Sequence, residues 1–249
     1  IIHCYYIEKS VKIQCMKYEK IVKANFISRP NRFVARVLIN EIEELVHVKN
    51  TGRCKELLVL GATVYLEDFI GKMGTRKMRY SIVAVEKGKR LINMDSQAPN
   101  KVVKEALNSG KLVLPEMKDL TIIKPETTFG NSRFDFYLKD KDNNEGFLEV
   151  KGVTLESNFI VKFPDAPTNR GIKHVMELCK AKKEGYNAYI LFLIQMSDIK
   201  SFEPNMDTHP DFGKALIKAK KEGVEILAYD TQVKIDSLIL NNEVDVTLL

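Results

Sequence analysis

Cysteine is scarce and scattered: Cys4, Cys15, Cys54 and Cys179 form no C-x-x-C pair and no dense framework. That excludes a disulfide-built scaffold and a zinc ribbon, and fits free thiols in a reducing cytoplasm. Histidine forms no cluster either. No apolar run approaches the roughly 20 residues that a membrane helix requires. The N-terminus has no small-residue cleavage site after an apolar core. A soluble, cytoplasmic protein with no membrane partner is expected. Internal repeats and low-complexity tracts are absent, as is any recognisable helix motif for reading DNA sequence.

What is present is enough apolar content, spread over 249 residues, for two cores rather than one. The net charge of +6 is compatible with a polyanionic partner without specifying one. Residues 1–15 read as an extension, and Met16, which opens a different texture, as the natural start. From there to residue 94, KIVKANFI, RFVARVLI, EELVHVK, ATVYLEDF, RYSIVAVE and RLINM are short apolar strands between polar turns. Five or six such strands in about eighty residues suggest a small barrel, with the OB-fold the best match in size. Cations interleave with aromatics along it. Arg29, Arg32 and Arg36 flank Phe33, Lys49, Asn50 and Arg53 follow, and Arg76, Lys77 and Arg79 stand beside Tyr80. Such groups can hold a phosphate backbone and stack bases; they can equally be the solvated outer positions of half-buried strands.

A polar stretch, DSQAPN, marks the start of a second domain over residues 95–249. KVVKEALNSG then reads as a short helix with Asn100 as its N-cap and Gly110 as its stop. FPDAPTNRGIKHVMELCKAKKEG gives a helix that starts near Thr168 and is closed by Gly185. Ile172, Val175, Met176 and Cys179 form its apolar stripe, and Arg170, Lys173, His174 and Glu177 a polar one at the same spacing. That polar stripe is either a solvated face or a phosphate grip. NAYILFLIQ reads as a buried central strand that ends at Gln195, and a further helix and strand follow, so helices alternate with strands in this half.

The chemistry gathers between Gly130 and Leu155. In RFDFYL, Arg133, Asp135 and Tyr137 share one face at the strand period, and Phe134, Phe136 and Leu138 the other. In FLEVKGV, Phe147, Glu149 and Lys151 share a face. A hairpin symmetric about Asp142 sets Asp135 opposite Glu149, with Lys151 two residues along. Two facing carboxylates raise one another's pKa unless a cation sits between them. Hard oxygen ligands suit Mg²⁺ or Mn²⁺, with Lys151 able to orient an attacking water. Glu126 could supply a third carboxylate or face solvent. A surface hairpin with a cross-strand ion pair is the competing reading.

Several motifs in order carry a resemblance. They are R-P-N-R-F (Arg29 to Phe33), H-V-x-N-T-G-R (His47 to Arg53), G-N-S-R-F-D-F (Gly130 to Phe136), E-V-K (Glu149 to Lys151), F-P-D-A-P-T-N-R-G-I-K-H (Phe163 to His174) and L-F-L-I-Q (Leu191 to Gln195). Together they resemble the SfsA family, the sugar fermentation stimulation proteins, from about Met16 to Tyr229. The resemblance implies an α/β (α+β) chain: an N-terminal OB-like β-barrel, then a domain similar to the PD-(D/E)xK nucleases. It also implies DNA binding and a link to the regulation of sugar, notably maltose, metabolism. It assigns Asp135 and Glu149 as metal ligands, Lys151 as the lysine of E-x-K, Gln195 as a glutamine on a later strand, and Glu126 as an upstream acid. The Pro-Asp dipeptide of that superfamily is absent, since Asp135 follows Phe134. Pro164-Asp165 comes after E-x-K, which leaves Asp165, like Glu177, an accessory position. Arg29, Arg32, Arg36, Asn50, Arg53, Arg133, Arg170, Lys173 and His174 are the expected contacts to DNA, read without sequence specificity. The alternative is a catalytically silent DNA-binding regulator whose carboxylates are structural.

Overall fold

The first half of the chain alternates apolar and polar residues at a period of 2, and in the computed structural model of the protein this becomes a closed barrel. Residues 15–50 and 52–248 are described; the extension assigned to residues 1–15 lies, except for Cys15, outside them. After a two-residue strand, β1 (Met16–Lys17), come β2 (Ile21–Asn31), β3 (Val34–Ile39), β4 (Ile42–Val48), β5 (Thr63–Asp68), β6 (Tyr80–Lys87) and β7 (Arg90–Asn93). The order β4-β3-β2-β5-β6 is antiparallel, and a parallel pairing of β4 with β6, His47 to Ser81 and Val48 to Ile82, closes it. This is an OB domain of five strands, with β7 added as a hairpin arm of β6. Alternate residues fill its interior, among them Ala24, Phe26, Ala35, Val37, Val46, Val64 and Leu66, all buried.

The second domain contains α1 (Ala98–Asn108), β8 (Leu120–Phe129), β9 (Ser132–Asp140), β10 (Glu145–Val153), β11 (Glu156–Ser157), β12 (Ile160–Phe163) and α2 (Asn169–Lys183). It continues with β13 (Asn187–Ile194), β14 (Ser201–Pro204), α3 (Pro210–Lys221), β15 (Glu225–Lys234), β16 (Ser237–Glu243) and β17 (Asp245–Val246). Seven strands form one mixed sheet in the order β1-β16-β15-β13-β10-β9-β8. Its centre, β10-β13-β15, is parallel, joined by crossovers through α2 and α3. β13 is buried along nearly its whole length, which is why it reads as one unbroken apolar run. α1 packs on one face through Val102, Val103, Ala106 and Leu107. α2 and α3 pack on the other through Val175, Leu178, Phe212 and Leu216.

Four expectations change. Met16 and Lys17, assigned to the barrel from sequence, pair with Leu238 and Ser237 and extend the second domain's sheet. Asn100 is not the cap of α1: Gln97 holds that position, Pro99 lies in the first turn, and Asn100 projects from the helix. The buried stripe of α2 takes in His174 and Leu178 rather than Ile172 and Met176. A second sheet, β11-β12-β14-β17, was not foreseen, nor were the closing strands after Val233. The start of α2 is as expected. Thr168 accepts a hydrogen bond from Gly171 N at 3.0 Å, a cap that contributes about 1 kcal/mol.

Candidate metal and nucleic-acid site

The ladder between β9 and β10 runs Lys139 to Glu145, Leu138 to Gly146, Tyr137 to Phe147 and Phe136 to Leu148. Continued by one step it would set Asp135 against Glu149, the register a hairpin symmetric about Asp142 requires. Instead the backbones part there, and the Asp135 carboxylate takes the vacated hydrogen bond, with Oδ2 accepting from Val150 N at 2.7 Å. On the other side, β8 pairs Pro125 with Phe136 and Thr127 with Phe134, while Glu126 between them has φ 51°. The kink at Asp135 reverses the strand's facing. Phe134 packs on Phe147 and edge-on to His174, on the α2 side. Phe136 and Leu138 join the α1 side. The expectation that these three residues share one face is therefore corrected, and the cause is local: a carboxylate bonded into the ladder replaces a regular pleat.

Asp135 Oδ1 accepts from Asn100 Nδ2 at 2.7 Å. Burial, and then the charge of Glu149, push this carboxyl above its ordinary range despite those two donors and Lys151. Glu149 is 3 % exposed. Burial pushes its carboxyl up, yet hydrogen bonds from His174 and Lys151 outweigh that and hold it below the usual range. Glu149 Oε1 is the acceptor for both Lys151 Nζ and His174 Nδ1, the latter at 2.5 Å. Arg170 Nε donates to His174 Nε2 at 3.4 Å, so an imidazole with its proton on Nδ1 satisfies both neighbours. Glu149 Oε2 is buried with no partner. An orphaned carboxylate oxygen beside a second carboxylate, with no thiolate nearby, fits a hard divalent cation. Asp135 and Glu149 would be its donors. Among the described residues no group of three or more His, Cys, Asp or Glu is gathered to hold a metal, so the remaining ligands would be water or substrate.

Gln195 follows β13 and is 1 % exposed. Its Nε2 donates to Asn93 Oδ1 at 2.8 Å and to Asp95 O at 3.1 Å. Its Oε1 lies against Gly152, where a Cβ would be 2.6 Å away. Gln195 thus joins the E-x-K strand to the barrel. Asn93 also donates to Tyr18 at 2.9 Å, and Lys49 Nζ reaches Asp95 at 2.8 Å and Glu67 at 3.0 Å. This buried junction was not foreseen, and neither was Asn100. Polar residues at strand ends carry no periodic signal, and the partner of Gln195 at Asn93 lies about a hundred positions away in sequence.

The outer residues separate into two groups. Arg32, Arg53, Lys173 and Arg170 are exposed, and the Arg32 guanidinium sits 5.4 Å from the Phe33 ring centre. Asn50 Oδ1 is turned inward to Gly52 N at 2.7 Å. Arg29 is a correction: its two terminal nitrogens donate to the carbonyls of Gly52, Arg53, Arg32 and Asn50 at 2.7–2.9 Å. These bonds use the guanidinium to shape a loop rather than to meet phosphate. His174 is also corrected, since it is buried against Glu149 rather than presented to solvent. Arg36 pairs with Glu43 at 3.1 Å, and Arg133 with Glu126 at 3.4 Å. That exposed pair leaves Glu126 outside the site. Asp165 Oδ2 accepts from Arg53 N at 3.0 Å, across the two domains. Glu177 Oε2 accepts from Asn131 N at 3.3 Å, at the β8–β9 turn. Burial pushes the thiol of Cys54 up to about 12 and that of Cys179 up to about 11, so neither is a nucleophile.

Among the described residues no helix is long and apolar enough to cross a membrane. Comparison with known proteins covers both domains. The family described as SfsA N-terminal OB domain matches residues 27–94, and the sugar fermentation stimulation protein RE domain matches residues 97–237. A sugar fermentation stimulation protein homolog of Clostridium beijerinckii is 54% identical over 233 residues, covering 94% of this chain and 100% of the relative. A homolog from Desulfitobacterium hafniense is 52% identical over 234 residues, with 94% and 99% covered. The solved structure of Pyrococcus furiosus SfsA in complex with Ca²⁺ superposes with a TM-score of 0.84 at 29% identity, over 94% of this chain and 98% of that one. The chain belongs to the sugar fermentation stimulation protein family.

Proposed function

We propose that this protein binds DNA without sequence specificity and that its Asp135–Glu149–Lys151 site is a metal-dependent phosphodiesterase centre of the PD-(D/E)xK kind. The observation that carries the reading is the partnerless, buried Glu149 Oε2 beside a second carboxylate whose pKa is raised. Leaving a buried charged oxygen unpaired costs about 1–3 kcal/mol or more, a penalty that a bound cation removes. The related archaeal protein was solved in complex with Ca²⁺, a hard cation of the same ligand preference as Mg²⁺ or Mn²⁺. When bound, such a cation would polarise a phosphoryl oxygen and lower the pKa of water. The chain's own residues do the rest. Asp135 and Glu149 hold the charge, Asn100 and Val150 N fix Asp135, and His174 fixes Glu149. Lys151, which donates to Glu149 Oε1, would orient the attacking water. Arg170 and Lys173 at the start of α2, with Arg32 and Arg53 on the barrel, are exposed cations that can meet flanking phosphates.

One observation favours a second reading, that of a silent DNA-binding regulator. Glu149 Oε1 already receives Lys151 and His174, and both oxygens of Asp135 have donors, so the site is largely neutralised by protein alone. Labelled single-stranded and duplex DNA incubated with Mg²⁺, Mn²⁺ or EDTA, with gel shift on the same samples, separates the two. Cation-dependent cutting that Lys151→Ala loses supports the phosphodiesterase; retarded but uncut DNA under every condition leaves only the binding protein.

A further inference from the structure

The strand that carries Glu149 and Lys151 continues to Gly152, and there the wall of a cavity begins. It has a volume of about 190 Å³ and lies on the seam between the barrel and the second domain. Asn50, Gly52 and Ser96 line it from one side, and Thr154, Asp165 and Gln195 from the other. Neither catalytic carboxylate reaches it. Two of its polar atoms are acceptors without a donor among the described residues. The Gln195 side chain bonds only through Nε2, which leaves Oε1 facing Gly152. Asp165 uses only Oδ2, for Arg53 N. Phe163 is the one aromatic residue in this lining, its ring packed against Phe212 at 5.2 Å. At the rim Lys162 is half-buried and pairs with Glu203 at 3.9 Å.

Each property narrows the occupant. The volume is below the several hundred Å³ of sites for drug-sized ligands, yet far larger than an ion needs. Inward acceptors repel a phosphate and call for N–H donors. An aromatic residue in the lining together with acceptors that lack donors suits a planar heterocycle whose edge carries amino or ring N–H groups, and the cation at the rim suits the phosphate attached to it. From these features we infer that the cavity receives one unstacked nucleobase of the DNA strand presented to the Asp135–Glu149–Lys151 site. The inference rests on the DNA-binding reading and adds a substrate class: strands with an unpaired base, for which leaving the stack costs least. Glycine at 152 belongs to this arrangement, because a Cβ would meet Gln195 Oε1 at 2.6 Å and Pro99 Cγ at 2.9 Å.

The test is done in EDTA, so that binding is read without cleavage. A duplex with one unpaired 2-aminopurine, the fully paired duplex and a single strand are titrated with the full chain, read by 2-aminopurine emission and by gel shift. The expected result is binding of the unpaired-base duplex about ten-fold or more tighter than the paired one, in line with the few kcal/mol saved on extrusion, with a changed emission. Ser96→Phe, which fills the cavity from its exposed edge, should remove that preference and leave the paired duplex bound as before. Asp165→Asn, which keeps an acceptor for Arg53 N but turns the other inward acceptor into a donor, should lower the preference without changing volume; thermal melting checks that both variants fold. Equal affinity for the unpaired and paired duplexes, or a preference that survives both substitutions, overturns the cavity's role and leaves DNA binding intact. No retardation of any DNA overturns the DNA-binding reading and this inference together.

Discussion

Asn100 Nδ2 donates to Asp135 Oδ1 at 2.7 Å, so the first turn of α1 holds the carboxylate at the point where β9 leaves the sheet. A hydrogen bond to the ionised form favours that form, and here it opposes the upward push of burial and Glu149. Removing it leaves Val150 N as the remaining hydrogen-bond donor. Asn100→Ala should therefore raise the Asp135 pKa further. The acid limb of the cleavage profile should move to higher pH by roughly one unit, since a hydrogen bond to a charged group is worth about 1.5–3 kcal/mol. A pH–rate profile of the variant measures this, and an unmoved limb would leave Asn100 with packing alone.

Cation binding should appear in stability. Because the folded pKa of Asp135 is raised, the metal-free fold binds its proton more tightly than the unfolded chain does. This group therefore costs stability as pH rises from the ordinary carboxylate range through its folded value. A bound cation reverses the preference. At neutral pH a hundred-fold excess of Mg²⁺ or Mn²⁺ over its Kd should stabilise by about 2.7 kcal/mol, and the gain should shrink toward acid pH. Differential scanning calorimetry of the wild type against Glu149→Gln reads it. A melting temperature that responds equally in both proteins would place the cation elsewhere.

Much of this is legible in sequence wherever one periodicity decides the structure. The barrel strands alternate cleanly, NAYILFLIQ is apolar because both faces of β13 are covered, and Thr168 is a cap with a turn before it. The symmetric loop around Asp142 gives the hairpin's register as far as Phe136 and Leu148, one step short of Asp135 and Glu149. What periodicity misses is where a polar side chain stands in for backbone. Asp135 breaks the pleat by accepting from Val150 N, so Phe134 and Phe136 part company. Asn100 looks like a cap because asparagine often is one, and its partner lies 35 positions away. The strands of the second sheet are two to four residues long, too short for any pattern to register, and β12–β14 and β14–β17 pair residues far apart in sequence.

Gly152 sits between Gln195 Oε1 and Pro99 Cγ, with room for neither to meet a Cβ. Pro99 belongs to the first turn of α1 and Gln195 is tied to Asn93, so both neighbours resist moving. Gly152→Ala should cost about 1–3 kcal/mol, the usual range for overpacking a well-filled site, and should weaken cleavage by shifting Lys151. Urea denaturation with a cleavage assay checks both effects; a loss of neither would mean that α1 yields at little cost.

Arg29 and its neighbours Arg32 and Arg53 should behave oppositely. The Arg29 fork is consumed by four carbonyls, whereas Arg32 and Arg53 are exposed. Arg29→Lys should lower stability, because a single ammonium cannot serve the fork, and should leave the salt dependence of DNA binding nearly unchanged. Arg32→Ala and Arg53→Ala should each reduce the slope of log K against log salt by about one phosphate's worth. Filter-binding titrations at several salt concentrations decide it, and identical slopes in all three variants would remove the barrel from the DNA interface.

Glu156 joins the two domains by charge. Its carboxylate accepts from Lys87 Nζ at 2.8 Å, pairs with Arg90 at 2.9 Å and accepts from Phe159 N at 2.9 Å, with Lys87 and Arg90 both on the barrel side. Burial raises its pKa, yet these partners together hold it below the ordinary glutamate range. A depressed folded pKa contributes stability that is present above the unfolded value and is lost as pH falls through the folded one. Acid should therefore loosen this seam, and Glu156→Gln should imitate acid at neutral pH. The expected loss is about 1 kcal/mol after discounting for the partial exposure of Lys87. Wild type and variant should converge in stability below the folded pKa of Glu156. Chemical denaturation from pH 7 down to the acid limit tests this, and two curves that stay parallel at every pH would show that the seam is held by packing rather than by this carboxylate.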